Sequence, residues 1–231
     1  MRTLSYAAAL TATLILSAAA NATVLPPGSG EQPPDVFAGC PGCTLLGTSG
    51  GPGFVVTANI NGSVLTMNFV SAVYSDPSNP FGAGKLDFMY QFTNESSSTT
   101  GVAHVAEFAF APIRGGLETD VGYTATGATL PGGVFVNGNV APGLVDRTTD
   151  NAFEFDFAVG PVDPGKASTV LIIQTNTRNT GLGQFNVDPV NGIGFGILGI
   201  PAPLGLPEPA TLALFGFGLI GIALSRRRLA R

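Results

Sequence analysis

Phe153-Glu154-Phe155-Asp156-Phe157-Ala158-Val159 is the stretch whose reading decides the fold. Phenylalanine or valine stands at every second position, with two carboxylates and an alanine between. A period of two is that of a β-strand, whose successive side chains leave opposite faces, whereas a helix repeats its apolar face every three or four residues. Leu86, Phe88, Tyr90 and Phe92 alternate in the same way with Asp87, Met89, Gln91 and Thr93. Val102, His104, Ala106, Phe108 and Phe110 form a similar stripe opposite Val105 and Glu107. Residues 54–60 and 63–70 flank Asn61-Gly62, a dipeptide that tolerates the positive φ angles of a two-residue hairpin turn. Further strands are predicted at 121–125, 134–140 and 169–175, with a weaker pattern at 192–198. No interior segment carries a 3.6-residue period. Eight or more short strands separated by Gly, Pro and Asn turns predict an all-β chain folded as an antiparallel β-sandwich.

Composition agrees with that class. The chain has 231 residues with 32 Gly and 18 Pro, and charged residues make up 11%. Those proportions argue against long amphipathic helices and coiled coils. There is one histidine, His104, and there are two cysteines, so a metal or catalytic site built on several histidines is excluded.

The two ends read as targeting segments. Arg2, an apolar run from residue 7 to 20 and the pattern Ala20-Asn21-Ala22 predict a secretory signal peptide cleaved before Thr23. At the other end Pro207-Glu208-Pro209 leads into an uncharged apolar run, followed by Arg226, Arg227, Arg228 and Arg231. Residues 210–224 would form a helix of roughly 22 Å against a hydrocarbon core of about 30 Å, a short transmembrane helix. The arginines predict a cytoplasmic C-terminus, with the bulk of the chain outside.

Pro207-Glu208-Pro209, a short apolar helix and an arginine cluster, in that order at the terminus, resemble the PEP-CTERM sorting signal of Gram-negative bacteria. The resemblance implies recognition and processing by exosortase, a multi-pass membrane cysteine transpeptidase, after export with the help of signal peptidase. It further implies a transient inner-membrane anchor, a final place at the cell surface or outside the cell, and association with exopolysaccharide in biofilm- or floc-forming cells. The chain is accordingly divided into a signal peptide at 1–22, a Pro/Gly-rich leader with a Cys-Pro-Gly-Cys loop at 23–52, a β-sandwich domain at 53–198, a linker at 199–206 and the sorting signal at 207–231.

Between the two ends, residues 23–206 hold five basic side chains against fourteen acids, a net charge of −9. That balance argues against nucleic acid as a partner, because a basic patch supplies such affinity. Cys40-Pro41-Gly42-Cys43 is the sharpest local motif of the interior. In an oxidising compartment the pair is read as a local disulfide. Redox activity, intermolecular bonding and a weak metal site are the alternatives, a tetrahedral zinc site being short of ligands.

Three other patterns carry less. Gly194 to Gly199 and Gly216 to Gly221 match G-x-G-x-x-G without a strand-turn-helix context. Gly47-Thr48-Ser49-Gly50-Gly51 matches a nucleophile elbow, but Pro52 follows at once and the base would have to be His104, which the stripe predicts to be a core histidine. Glu154 and Asp156 share one strand face, a pair compatible with a two-carboxylate glycoside hydrolase but more simply a solvated outer face. Asp146 and Asp150 with Asn151 are oxygen ligands that would suit calcium. Tyr74, Tyr90 and Tyr123 are the aromatic candidates for sugar stacking in a chain without Trp. The reading that follows is a non-enzymatic structural component of an extracellular polysaccharide matrix, with no catalytic residue, metal or cofactor assigned. A glycan-binding module, calcium-assisted, is the alternative, and a glycoside hydrolase stands behind it.

Overall fold

Alternation of apolar and polar residues gives most strands a face to bury, and among the described residues thirteen strands form two sheets. A computed structural model describes residues 24–37, 39–40, 42–60, 62–107, 118–149, 152–157, 160–190 and 194–203. In chain order the strands are β1 (Ser29–Gln32), β2 (Asp35–Val36), β3 (Thr44–Ile60), β4 (Ser63–Asp76), β5 (Lys85–Asn94), β6 (Val102–Glu107), β7 (Thr119–Thr124), β8 (Leu144–Arg147), β9 (Phe153–Asp156), β10 (Lys166–Ala167), β11 (Val170–Thr175), β12 (Thr180–Pro189) and β13 (Phe195–Pro203). One sheet has the order β1-β8-β9-β6-β12-β13 and the other β2-β7-β11-β5-β4-β3, with β10 pairing β5. The named strand pairs are antiparallel except β2 with β7, which is parallel.

The sheets face each other across a core rich in aromatic rings. Phe69 of β4 meets Phe185 of β12 at 4.8 Å between centroids, and Tyr90 of β5 meets the same ring at 5.7 Å. Phe92 of β5 lies edge-on to Phe157, just past β9, at 5.7 Å. Phe153, Phe155 and Phe157 are buried while Glu154 and Asp156 are half-exposed, the alternation that the sequence predicts. The hairpin forms as well: Ile60 pairs with Ser63, and Gly62 takes a φ of 83°.

A second apolar layer covers the outer face of the seven-stranded sheet. Val70, Ala72, Tyr74, Met89, Val170 and Ile172 pack there against Cys40, Cys43, Leu130 and Phe135. As a result β5 is buried on both faces from Leu86 to Phe92, not half-buried as the alternation suggested. The segment 134–140, expected as a strand, is instead part of this cover. Gln91 of β5 pins it: its Nε2 donates to the Val136 and Ser168 carbonyls and its Oε1 accepts from the Val136 N–H, all at 2.9 Å. Gly138 lies so close to β10 and β11 that a Cβ would stand 2.0 Å from the Ser168 carbonyl oxygen. Val140 makes only an isolated bridge, to Ser168.

Residues 23–52 were expected to be an extended leader, and the structure corrects this. Leu25 is 1% exposed and belongs to the core between the sheets. Its N–H donates to the Thr119 carbonyl at 3.2 Å, and its own carbonyl accepts from Arg147 Nη1 at 2.9 Å and from Thr119 Oγ1 at 3.0 Å. β1 then adds an edge to β8, β2 adds an edge to β7, and the long β3 begins at Thr44. Prolines without N–H groups suit sheet edges, which is why a Pro-rich segment docks here without losing ladder hydrogen bonds. Residues 199–206, expected as a linker, are likewise strand as far as Pro203, the end of β13.

β6 departs from its expected facing. His104 pairs with Asp188, yet Val102 pairs with Pro189, so Ala103 is an extra residue on β6. Such a bulge switches the outward face. Val102 and Val105 therefore both point inward, Glu107 is buried, and His104 turns outward. His104 is not a core histidine.

The signal-peptide residues Ala20, Ala22 and Thr23 and the sorting residues Pro207, Glu208, Pro209, Arg226, Arg227 and Arg228 lie outside the described residues, as do Phe108, Phe110, Asp150 and Asn151. Among the described residues no helix is long and apolar enough to cross a membrane.

Candidate functional site

Two clusters of chemically active side chains stand out, one on the outer face of each sheet. On the six-stranded sheet, strand register places the groups on two adjacent rungs. Leu144, Asp156, His104 and Asp188 follow one another across β8, β9, β6 and β12, and Asp146, Glu154, Ala106 and Asn186 form the next rung. Directly opposed side chains in a sheet have Cβ atoms roughly 5 Å apart, so Asp146 faces Glu154 as a like-charged pair. His104 spans the gap. Its Nδ1 lies 3.0 Å from Asp188 Oδ2 and its Nε2 3.6 Å from Glu154 Oε2.

The electrostatics follow from this crowding. Glu154 is shifted above its ordinary value by partial burial first, then by the Asp146 charge, with Asp188 adding and His104 opposing. Asp146 is shifted upward as well, by burial first, with Glu31 adding and His104 opposing. Replacing Asp146 by Asn is therefore expected to lower the titration midpoint of the Glu154 carboxyl, and replacing His104 by Ala to raise it. Carboxyl-carbon NMR titration reads both; a Glu154 midpoint that moves with neither change refutes the pairing.

Glu31, His104, Leu144, Val145, Asp146, Glu154 and Asp156 line a depression of ≈ 50 Å³. Sites for organic ligands usually enclose about 300–1,000 Å³, so this one has room for a water or an ion and none for a sugar ring. The structure thus brings the sequence-singled Glu154, Asp156, Asp146 and His104 together, and adds Asp188 and Glu31, which sequence reasoning missed. Ser49 lies within β3 with no helix after it, and its carbonyl accepts from Ser71 Oγ at 3.1 Å. It has none of the context of a nucleophile elbow. Gly194 to Gly199 run into β13, with no helix N-terminus to receive a phosphate.

The tyrosines named for sugar stacking are corrected in two cases of three. Tyr74 and Tyr90 are 0% exposed. Tyr74 Oη donates to the Pro131 carbonyl at 2.8 Å, holding the outer cover, and burial pushes its phenol up to about 12. Tyr90 Oη donates to the Pro201 carbonyl at 2.9 Å, tying β5 to β13, and burial pushes it up too, with Glu107 adding. Tyr123, on β7, keeps partial exposure.

The second cluster lies under the cover of the seven-stranded sheet. Cys40 and Cys43 are joined across a tight loop whose Cα atoms stand 5.5 Å apart, and the Cys43 N–H donates to the Cys40 carbonyl at 3.2 Å. Beside them are Asp76, at the end of β4, and Asp87, near the start of β5, respectively 2% and 1% exposed. Neutral groups hold both carboxylates. Gln174 Nε2 donates to each at 3.1 Å, Asn79 Nδ2 donates to Asp87 at 2.9 Å, and the Ser78 N–H and hydroxyl donate to Asp76 at 2.7 Å. Asp87 is pushed up to about 7, by burial first and by the Asp76 charge second. Asp87 was visible in the sequence only as the polar half of an alternating strand.

Fold and clusters together define a two-sheet β protein with a cluster of acidic side chains on the outer face of one sheet. Residues 206–228 match the PEP-CTERM protein-sorting motif. The chain therefore carries the signal of an exported protein that is sorted to the cell surface through its C-terminus and processed by exosortase. No curated protein and no solved structure matches the chain.

Proposed function

We propose that the chain is a surface-displayed, non-enzymatic β-sandwich protein whose work is done in an extracellular polysaccharide matrix after both of its ends have been processed. The match of residues 206–228 to the sorting motif carries this reading. The interior supports it in two ways. Its acidic excess keeps the exported domain soluble and away from anionic surfaces. The acids around Glu154 and Asp156 line a space of ≈ 50 Å³, too small to seat a sugar across that pair for hydrolysis. With Tyr74 and Tyr90 buried, a glycan-binding role would fall to Tyr123 and to the polar rungs around His104.

Intact mass of the protein recovered from the cell surface and medium of its host tests the proposal. The expected species starts at Thr23 and ends near 207–209, with or without an added group. Substituting alanine for Pro207, Glu208 and Pro209 together is expected to leave residues 212–231 attached and the chain in the membrane fraction. Recovery of wild-type chain that still carries residues 212–231 would leave a plain anchored domain and remove the matrix reading.

A further inference from the structure

Cys40, Cys43, Asp76 and Asp87 each offer one donor atom, and the four donors lie within 4.8 Å of one another, all from buried residues. In a tetrahedral zinc site the bonds are about 2.3 Å to sulfur and 2.0–2.2 Å to carboxylate oxygen, which sets donor-to-donor edges near 3.4–3.8 Å. Cys40 Sγ to Asp87 Oδ2 is 3.9 Å, already close to such an edge. A C-x-x-C loop is the spacing that structural zinc sites use for one pair of ligands. The sequence showed no second pair; the fold supplies it from β4 and β5.

The surroundings also fit a cation. Two carboxylates are buried side by side, and the groups that hold them are the Asn79 and Gln174 amides and the Ser78 N–H and hydroxyl, none of which carries charge. Lys85, on the same strand as Asp87, sends its Nζ to the Asn176 carbonyl instead. The amides fix the carboxylate orientation, as outer-sphere hydrogen bonds do around bound metals.

We propose that the dithiol form of the protein binds one zinc ion through Cys40, Cys43, Asp76 and Asp87, and that closing the Cys40–Cys43 disulfide releases it. On binding, the two thiols lose their protons to solvent, and Asp76 and Asp87 bind as carboxylates. On release, the two thiolates give two electrons to an external disulfide, which leaves as two thiolates. A sulfur–sulfur bond then replaces both zinc–sulfur bonds, and two carboxylates alone do not hold the ion. The loop accordingly has two states, one closed by metal and one by oxidation.

The test uses the full chain in detergent, reduced by a phosphine without oxygen and titrated with cobalt(II) as the zinc probe. The reduced wild type is expected to take up one equivalent, with a thiolate-to-cobalt charge-transfer band whose intensity counts two sulfurs and visible bands of tetrahedral strength. Zinc should displace the cobalt, and a disulfide oxidant should abolish the spectrum. Asp87→Asn and Asp76→Asn should each weaken binding at least as much as loss of an outer-sphere partner does, about 10- to 100-fold. Unchanged far-ultraviolet circular dichroism of these variants excludes unfolding as the cause. The charge-transfer count needs no variant. No uptake by the reduced wild type, uptake that survives oxidation, or undiminished uptake by the Asp76→Asn, Asp87→Asn double variant would each overturn the proposal.

Discussion

Phe185→Ala is expected to lower the unfolding free energy by about 3–5 kcal/mol, the range for truncating a fully buried phenylalanine. Phe185 is 0% exposed and sits on β12, in the middle of the six-stranded sheet's partnership between β6 and β13. Its ring touches Phe69 and Tyr90 of the opposite sheet, at 4.8 and 5.7 Å between centroids. Truncation thus opens a void at the point where the sheets meet, lined by two rings that cannot both move in. Tyr90 is tethered through its hydroxyl to Pro201, and Phe69 sits on β4, which is paired on both sides by β3 and β5. Partial collapse is therefore small and the full cavity cost remains. Denaturant unfolding followed by tyrosine fluorescence measures it, and Phe185→Leu should recover much of the loss. A change below about 1 kcal/mol would mean that the sheets do not pack through this ring.

The same ring explains what the sequence made legible. Alternation located β5 and β9, because each buries a regular apolar face against the other sheet. The Asn61-Gly62 turn located the β3–β4 hairpin, because positive φ has so few residues that accept it. β12 escaped notice, since Gly181, Gly183 and Asn186 dilute its pattern and only Phe185 and Val187 reach the core. Ala103 hid the facing of β6: a one-residue bulge leaves composition untouched while turning His104 from the core to the surface. The leader was misread for a related reason. Proline content signals missing N–H donors, which an exposed linker and a sheet edge tolerate equally well. The acidic rungs around His104 depend on which strands are neighbours, a fact of topology that no local pattern contains. Asp188 is distant from His104 in sequence and adjacent to it in the sheet.

The pair Asp76 and Asp87 makes the second large effect, a stability that depends on pH in the direction opposite to the usual carboxylate. Asp87 is pushed up from 3.8 to about 7 by burial and by the neighbouring charge. Between those values the folded chain keeps the proton and the unfolded chain has lost it, so the unfolded state binds fewer protons and stability falls as pH rises. Below about pH 4 both states are protonated and above about pH 7 both are ionised, so the loss is confined to the window between. Each unit of difference corresponds to 1.36 kcal/mol, which sets a ceiling of about 4 kcal/mol on what the metal-free, oxidised protein loses across it. Asp87→Asn removes the ionisable group while keeping an amide oxygen for Asn79 and placing an NH2 where Oδ2 stood, a donor for Asp76 in place of a like charge, with Gln174 keeping its bond to Asp76. The variant is expected to be more stable than wild type at pH 8, by up to the same amount, and to lack this part of the slope below pH 7. Guanidinium unfolding of both chains at pH 4 to 9 with a chelator present gives the difference directly. Parallel profiles would show that Asp87 ionises in the folded state as freely as in the unfolded one, and the buried pair would then have to be partly open to water.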